Sequence, residues 1–333
     1  MTKKISLTGI KPTGMPHIGN YLGAIKPAIE MANSGNYEAY YFIADYHSLT
    51  TVYDGKKLND YIYEVAAVWM AMGLDVSKAV LYKQSDVPEV MELNWIISCF
   101  TNKGLMNRAH AYKAIVQDNE ENGRDADRNV NMGIFSYPVL MAADILFLGS
   151  DIVPVGADQL QHIEIARDIA NAFNHHYGEI LKLPEAFVRD DFATVPGLDG
   201  RKMSKSYDNH IPLFLPAKKL RKMINKIKTD STEPDVPKDP DNSLIMDIFK
   251  LFADKKEIED LEAWYRRGIG WGEAKAELFK VMDRELEGPR EIYEDLMNNR
   301  EKIDKVLQEG RDRVRPKAQE LLAKVKKAVG VMA

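Results

Sequence analysis

Two segments of the chain combine glycine with polar or cationic side chains in a pattern suited to binding phosphate. The first, Pro16-His17-Ile18-Gly19-Asn20, follows a predicted strand and a glycine-rich turn. A glycine at a helix start lets the backbone approach a phosphate closely, and the helix N-terminus offers free N–H groups to anions. The second, Gly200-Arg201-Lys202-Met203-Ser204-Lys205-Ser206, is a glycine-led cationic loop. Its lysines could stabilise the negative charge of a departing pyrophosphate. A purely structural turn also explains the first segment, and a solvated surface loop also explains the second.

Two acidic residues stand in apolar surroundings. Asp144 lies in the helical pattern Met141-Ala142-Ala143-Asp144-Ile145-Leu146. Burying an unpaired carboxylate is costly, so Asp144 either faces solvent or meets a hydrogen-bond donor. Asp158 follows the apolar strand pattern Val153-Pro154-Val155 and a glycine. It can cap the next helix or accept hydrogen bonds from ribose hydroxyls.

The elements that must position these segments alternate between strand and helix. Strand patterns are predicted at residues 4–8, 39–44, 79–82 and 153–155, and helical patterns at 20–31, 59–72, 91–100, 138–148 and 159–173. The alternation predicts a Rossmann-like α/β fold with a doubly wound parallel sheet, which binds nucleotides at the carboxyl ends of its strands. Helical patterns then dominate, at 218–228, 244–253, 256–265, 271–286, 290–309 and 317–329.

This change of pattern predicts two domains. We expect a catalytic domain over residues 1–206, with a connective insertion at about 88–150, and a mostly helical C-terminal domain over residues 207–333. The terminal helix is expected to pack back on the catalytic domain.

Composition sets limits on the function class. The chain has 333 residues, of which 45% are hydrophobic and 29% charged, and this excludes collagen-like and disordered classes. Cys99 is the single cysteine, which excludes an internal disulfide and a multi-cysteine zinc site; its apolar neighbours predict burial. We find no signal-peptide pattern and no apolar run of the ~18–20 residues that a membrane span needs. We therefore expect a cytoplasmic protein with no membrane partner.

The two glycine-containing segments resemble the two signature sequences of class I aminoacyl-tRNA synthetases. Within that class, Tyr137-Pro138, the segment around Asp144 and the segment from Val153 to His162 resemble tryptophanyl-tRNA synthetases, and the resemblance covers essentially the whole chain. It implies that L-tryptophan reacts with ATP, with Mg²⁺ on the phosphates, to give tryptophanyl-adenylate and pyrophosphate. Tryptophan then passes to tRNA(Trp). The resemblance also implies a homodimer and an anticodon-binding C-terminal domain.

The resemblance also implies roles for individual residues. Asp144 matches the carboxylate that accepts the indole N–H, a group that can only donate. The other positions around the amino acid are Gln159, Met141, His47, Val153 and Val155. The ATP positions are Lys11, Pro12, Thr13, Gly19, Asn20, Gly156, Ala157, Asp158, Val195, Lys202, Met203, Ser204, Lys205 and Ser206. The catalytic residues are His17, Lys113, Lys202 and Lys205.

Three departures from the family pattern stand out, one of them a shortened loop before Lys202, which bears on the match at Val195. Many bacterial relatives have glutamine at the position of Lys11, which changes the charge beside ATP. Asn20 replaces the last histidine of the class signature, as is usual in the tryptophanyl branch.

Three other functions remain open. A tyrosyl-tRNA synthetase shares the fold and the signatures, although the context of Asp144 and His162 favours tryptophan. A nucleotidyltransferase that adenylylates a small cofactor would not need the long helical C-terminal region. A non-catalytic paralogue could bind tryptophan or tRNA as a sensor, but the intact Lys202 and Lys205 argue against it.

The distribution of charge bears on the nucleic-acid partner. The formal net charge of −5 does not indicate a nucleic-acid-binding protein. Between Ala217 and Thr229, however, the chain has no acidic residue and six basic ones: Lys218, Lys219, Arg221, Lys222, Lys226 and Lys228. We interpret this run as either a solvated helix face or a stripe that faces tRNA.

Overall fold

A five-stranded parallel sheet forms the centre of the molecule. The computed structural model describes residues 3–156, 159–188 and 195–332. The strands are β1 (Lys4–Ile10), β2 (Tyr37–Ile43), β3 (Val80–Lys83), β4 (Ile152–Val155) and β5 (Glu185–Val188). Their order is β3-β2-β1-β4-β5, and each neighbouring pair is parallel. The predicted Rossmann-like α/β class is confirmed.

The strand order reverses direction between β1 and β4. From β1 the chain builds outward through β2 and β3 on one side, and β4 and β5 then lie on the other. In open parallel sheets the ligand crevice lies at such a switch point, outside the carboxyl ends of the strands. Here those ends are Ile10 of β1 and Val155 of β4.

Helices account for most of the remaining described residues. They are α1 (Ile18–Asn20), α2 (Lys26–Asn33), α3 (Asp45–Ser48), α4 (Gly55–Ala71), α5 (Glu89–Ser98), α6 (Lys103–Asn107), α7 (His110–Glu121), α8 (Met132–Leu146), α9 (Leu160–Tyr177), α10 (Ala217–Ile224), α11 (Leu244–Phe249), α12 (Lys255–Arg267), α13 (Trp271–Asn298) and α14 (Arg300–Ala328). A π-helical segment, Tyr21–Ile25, joins α1 to α2.

The sheet is covered on both faces, which explains why β2 is apolar along its length. Successive side chains of a strand point to opposite faces. Accordingly, Tyr41 and Ile43 pack in one hydrophobic core, while Tyr40 and Phe42 pack in the other. A strand buried on both sides reads as a continuous apolar run rather than an alternating one.

The C-terminal helices share these two cores with the sheet. Leu286 of α13 and Leu307 of α14 belong to the same core as Ile18. Farther along α14, Val314 packs in the opposite core. The buried Gly310 of α14 lies against the carbonyl oxygen of Leu81 in β3, so the terminal helix contacts the sheet directly.

The prediction of three helices between residues 271 and 329 was wrong. The structure has two helices there, since neither proline ends a helix: Pro289 lies inside α13 and Pro316 lies inside α14. Residues on both sides of each proline are buried, for example Val314 and Ala318, so packing of a continuous apolar face holds the helix together. The break between the two helices falls at Asn299.

Three further differences concern local features. The predicted helix at 20–31 is interrupted by its π-helical segment. The prediction that Cys99 is buried was wrong: it lies exposed at the C-terminal end of α5, where its Sγ is 3.6 Å from the carbonyl oxygen of Trp95. Strand β5 escaped prediction because its four residues are exposed and show no buried apolar pattern.

In the part of the chain that the structure describes, no helix is long and apolar enough to cross a membrane.

Candidate active site

The loop after β1 carries His17 at the start of α1. His17 is the N-cap residue: its Nδ1 accepts a hydrogen bond from the backbone N–H of Asn20 at 3.2 Å, and Asn20 Oδ1 accepts from the His17 N–H at 3.1 Å. This reciprocal pair fixes the histidine ring at the mouth of the crevice. The neighbouring Ile18 N–H donates to the Ile211 carbonyl oxygen at 2.9 Å, so the start of α1 is held by contacts within the protein.

The cationic loop at residues 202–206 closes against this helix start. The Gly19 N–H is 3.3 Å from the Met203 Sδ, and a Cβ added to Gly19 would lie 3.3 Å from the Met203 Cβ. That Cβ would also lie 3.0 Å from the His17 ring, so a side chain at position 19 would force His17 or Met203 to shift by a few tenths of an ångström. The Lys205 Nζ donates to the Thr13 carbonyl oxygen at 3.1 Å. Two sequence-distant loops thus meet at the carboxyl end of β1.

Asn209 holds the cationic loop in shape. Its Nδ2 donates to Asp199 Oδ1 at 2.7 Å and to the Lys202 carbonyl oxygen at 3.1 Å, while its Oδ1 accepts from the Ser204 N–H at 2.8 Å. The buried Met203 donates its N–H to the carbonyl oxygen of the buried Val195 at 2.9 Å. Sequence reasoning missed Asn209, because an asparagine beyond a loop carries no distinctive pattern.

Asp144 is buried, and two side chains, Gln84 and His47, lie within hydrogen-bond distance of its carboxylate. Gln84 Nε2 lies 2.9 Å from Asp144 Oδ1 and 2.8 Å from Oδ2, and His47 Nε2 lies 2.9 Å from Oδ2. Burial raises the pKa of the Asp144 carboxyl, and the His47 and Gln84 contacts oppose that rise. Of the two alternatives for Asp144, the structure confirms that it meets donors rather than solvent.

The partners of Asp144 come from the ends of neighbouring strands. His47 follows β2 in α3, and Gln84 directly follows β3. Gln84 was missed in the sequence, although a polar residue directly after a buried strand is the signal that could have found it. Met141 lies one helical turn before Asp144 and is half-buried, while Val153 and Val155 are buried in β4.

Lys11 and Pro12 connect the first loop to α3. The Lys11 Nζ donates to Thr50 Oγ1 at 2.9 Å, and the Pro12 carbonyl oxygen accepts from Ser48 Oγ at 3.0 Å. Ser48 directly follows His47, and Thr50 Oγ1 donates to the His47 carbonyl oxygen at 2.8 Å, so these contacts tie the first loop to the segment that carries His47.

Burial changes the protonation of the basic groups. It lowers the pKa of His17 to about 4, with smaller contributions from His210 and Lys205, so the imidazole is neutral near pH 7. Burial also lowers the pKa of Lys205 and of Lys11. The His17 and His210 rings are 5.9 Å apart between centroids, and His210 is another residue that the sequence did not single out.

Among the residues that the structure describes, some predicted site residues form no hydrogen bond with the side chains of His17, Lys205 and Asp144. Lys202 is exposed in the cationic loop, and Lys113 is exposed on α7; within the described residues neither side chain is hydrogen-bonded or ion-paired. Gly156 follows β4, and its carbonyl oxygen accepts from the Gln159 N–H at 2.9 Å just before α9. Ala157 and Asp158 lie outside the described residues. Ser204 Oγ accepts from the Ser206 N–H at 3.2 Å within the cationic loop.

Comparisons with known proteins agree with this geometry. Residues 2–287 match the family model described as class I tRNA synthetases (W and Y). The chain is 49% identical over 332 residues to the tryptophan–tRNA ligase of Neisseria meningitidis, covering 99% of both chains. The chain belongs to the tryptophanyl-tRNA synthetase family. It is also 48% identical to the Pseudomonas aeruginosa tryptophan–tRNA ligase, over 99% of this chain and 74% of that family member.

A solved structure of the family extends the likeness to the whole fold. The crystal structure of the Campylobacter jejuni tryptophanyl-tRNA synthetase, complexed with ADP and tryptophan, superposes with a TM-score of 0.90 at 44% identity. The match covers 98% of this chain and 99% of that one. Family membership therefore rests on the whole chain and not only on the two loops.

Proposed function

We propose that the protein is a tryptophan–tRNA ligase that forms tryptophanyl-adenylate and pyrophosphate from L-tryptophan and ATP, and then transfers tryptophan to tRNA(Trp). Sequence identity of 48–49% to two tryptophan–tRNA ligases, over 99% of this chain, supports the overall reaction. The single feature of the site that carries the choice of amino acid is Asp144, a buried carboxylate with two donors beside the strand ends.

Asp144 is proposed to accept the indole N–H of tryptophan. A buried N–H without an acceptor loses about 1–3 kcal/mol, so a carboxylate here selects an indole. Gln84 and His47 hold the carboxylate in one orientation. The remaining contacts are assigned to Gln159, Met141, Val153 and Val155.

ATP is proposed to bind between the first loop and the cationic loop. The contacts between Gly19 and Met203 and between Lys205 and Thr13 support this location. Lys11, Pro12, Thr13, Asn20, Gly156, Ala157, Asp158, Val195, Ser204 and Ser206 complete the proposed nucleotide site.

The first step needs positioning and charge stabilisation but no side-chain nucleophile. A carboxylate oxygen of tryptophan forms a bond to the α-phosphorus of ATP, and the bond from that phosphorus to the bridging oxygen of pyrophosphate breaks. We assign Lys202, Lys205 and Lys113 to the negative charge on the departing pyrophosphate. A neutral His17 is suited to donate a hydrogen bond to a phosphate oxygen without repelling the nearby lysines.

The second step transfers the tryptophanyl group to the terminal ribose of the tRNA. A ribose hydroxyl oxygen attacks the carbonyl carbon of the adenylate, and AMP leaves. We assign the C-terminal helical region to recognition of the anticodon, and the division at residue 207 stays a prediction.

Mg²⁺ is proposed to accompany ATP rather than to occupy a site built by the protein. Among the described residues there is no group of three or more His, Cys, Asp or Glu that could hold a metal ion. Mg²⁺ keeps several waters and commonly binds through substrate phosphates. The ion would therefore arrive on the ATP phosphates.

A homodimer is proposed from an exposed apolar stripe on α5. Met91, Trp95 and Cys99 are spaced by four residues and are exposed, with Trp95 at 73%. Residues at this spacing share one helix face. A second copy of the chain related by two-fold symmetry would bury this stripe.

Amino-acid-dependent ATP–pyrophosphate exchange tests the proposed activity. We expect exchange with tryptophan and little with tyrosine, followed by charging of tRNA(Trp). Exchange driven by tyrosine and not by tryptophan would overturn the assignment. A strong loss of exchange in Lys202→Ala, relative to the natural chain, is expected if the protein is an enzyme and not a sensor.

A further inference from the structure

A cleft of about 390 Å³ lies between the segment that follows the cationic loop and α10. Asp208, His210, Pro212 and Leu215 line it from the segment that follows the loop. Lysine side chains and Met223 line it from α10 and the turn after it. Nothing in the proposed chemistry of tryptophan activation uses this cleft.

The cationic side of the cleft consists of Lys219, Lys222 and Lys226. Their spacing of three and four residues places them on one face, while Leu220 and Ile224 turn to the core. All three lysines are exposed, and none has a carboxylate oxygen within 4 Å among the described residues. Against these three charges the lining holds one carboxylate, Asp208. The charge therefore favours an anionic ligand.

The floor of the cleft is apolar, which distinguishes the cleft from a simple patch of surface lysines. Pro212, Leu215 and Met223 present apolar surface, and His210 adds a ring. A flat base stacks on surfaces of this kind, while its phosphates reach the lysines. The volume falls in the range of sites for small ligands. A duplex keeps its bases stacked inside, so only an unpaired nucleotide can use both features.

The cleft adjoins the proposed site of aminoacyl transfer. His210 lines it, and the His210 ring centroid is 5.9 Å from that of His17. We propose that the cleft binds an unpaired nucleotide near the 3′ end of the tRNA, with its base on the apolar floor and its phosphate on the α10 lysines. This inference rests on the proposed ligase function and adds a docking site for the tRNA substrate.

Two charge-matched variants test the proposal. The cleft variant carries Lys222→Gln and Lys226→Gln. The control variant carries Lys218→Gln and Lys228→Gln, which remove the same charge from exposed positions outside the cleft. Tryptophan-dependent ATP–pyrophosphate exchange and the KM for tRNA(Trp) in charging are measured for both variants and for the natural chain.

We expect the cleft variant to raise the KM for tRNA on the order of tenfold and to reduce the salt slope of tRNA binding by about 0.7 per lysine. The control variant should change the KM for tRNA much less, and both should keep the exchange activity. Equal effects of the two variants would overturn the proposal, since only total charge would then matter. A raised KM for ATP in the cleft variant would also overturn it, by assigning the cleft to ATP.

A shortened tRNA(Trp) distinguishes the part of the RNA that binds. Direct binding is compared for intact tRNA and for tRNA without its unpaired 3′ nucleotides. We expect the difference between the natural chain and the cleft variant to disappear with the shortened tRNA. Persistence of the difference would overturn the assignment to the 3′ end. Absence of exchange in the natural chain would instead refute the ligase function, so the two failures can be told apart.

Discussion

Asp144 offers the sharpest test at the scale of single residues. The Asp144→Asn substitution removes the negative charge. It also places an amide N–H₂ group, itself a donor, beside the Gln84 and His47 side chains that contact the carboxylate in the natural protein. Hydrogen bonds to charged groups contribute about 1.5–3 kcal/mol, so we expect kcat/KM for tryptophan to fall roughly 10- to 150-fold. Exchange kinetics at varied tryptophan concentration measure the change, and the KM for ATP should stay nearly constant.

An analogue without the indole N–H separates this role from a structural one. Benzothienylalanine has sulfur where the indole has N–H, so it cannot donate to Asp144. The natural chain should prefer tryptophan to this analogue, and Asp144→Asn should lose most of that preference. If the variant discriminates as well as the natural chain, then Asp144 does not recognise the N–H.

His17 predicts how stability depends on pH. Burial lowers its pKa from 6.5 to about 4 in the folded protein, so between these values the unfolded chain binds the proton more readily. This residue therefore destabilises the fold as the pH falls from about 6.5 toward 4, and its contribution is constant above that window. In His17→Asn the side-chain oxygen can still cap α1, but the titration is removed.

Urea unfolding of both proteins between pH 7 and pH 4.5 measures this contribution. We expect the stability of the natural chain to decline more steeply with acidification than that of His17→Asn. The comparison cancels the other titrating groups, which both proteins share. Equal slopes for the two proteins would contradict a lowered pKa for His17.

At the scale of elements, the contact between α14 and β3 depends on Gly310. A Cβ added there would overlap the carbonyl oxygen of Leu81. We expect Gly310→Ala to lower the free energy of unfolding by about 1–3 kcal/mol, the usual cost of overpacking. Gly272 on α13 has no atom within 4 Å of an added Cβ, so Gly272→Ala is the matched control.

Thermal and urea unfolding of both glycine variants check this expectation. The control should be neutral or slightly more stable, because alanine loses less conformational freedom than glycine in a helix. A Gly310→Ala protein as stable as the control would mean that α14 can shift away from β3 without loss.

The sequence predicts elements well where the pattern is local. The buried β2 and the two glycine-containing loops follow from residue type and spacing alone. The course of α13 and α14 does not, because a proline breaks a helix unless tertiary contacts hold it, and those contacts are not local. The roles of Gln84 and Asn209 escaped prediction for the same reason. Gln84 contacts Asp144, which is distant in the chain, and Asn209 reaches back across the cationic loop to the Lys202 carbonyl oxygen. Family resemblance supplied the expected roles of the site residues.

At the scale of the whole molecule, the distribution of charge matters more than its sum. The net charge is −5, yet the six basic residues on and just after α10 are all exposed, while Leu220, Ile224 and Ile227 of that region are buried. A basic surface can therefore face tRNA on a protein that is acidic elsewhere. The shared cores of the sheet and the C-terminal helices also join this surface to the crevice through packed side chains.

The proposed homodimer gives the prediction at this scale. In Trp95→Glu a charge replaces a large exposed apolar side chain at the centre of the α5 stripe, and burying that charge in a two-fold interface is unfavourable. Light scattering after size-exclusion chromatography should give about twice 37.8 kDa for the natural chain and close to 37.8 kDa for the variant. Ile292→Glu on α13, where Ile292 is 49% exposed, makes the same chemical change outside the stripe and should leave the dimer intact. Only an interface on the α5 stripe predicts that Trp95→Glu loses the dimer while Ile292→Glu keeps it. Loss of the dimer in both variants, or in neither, would therefore place the interface elsewhere.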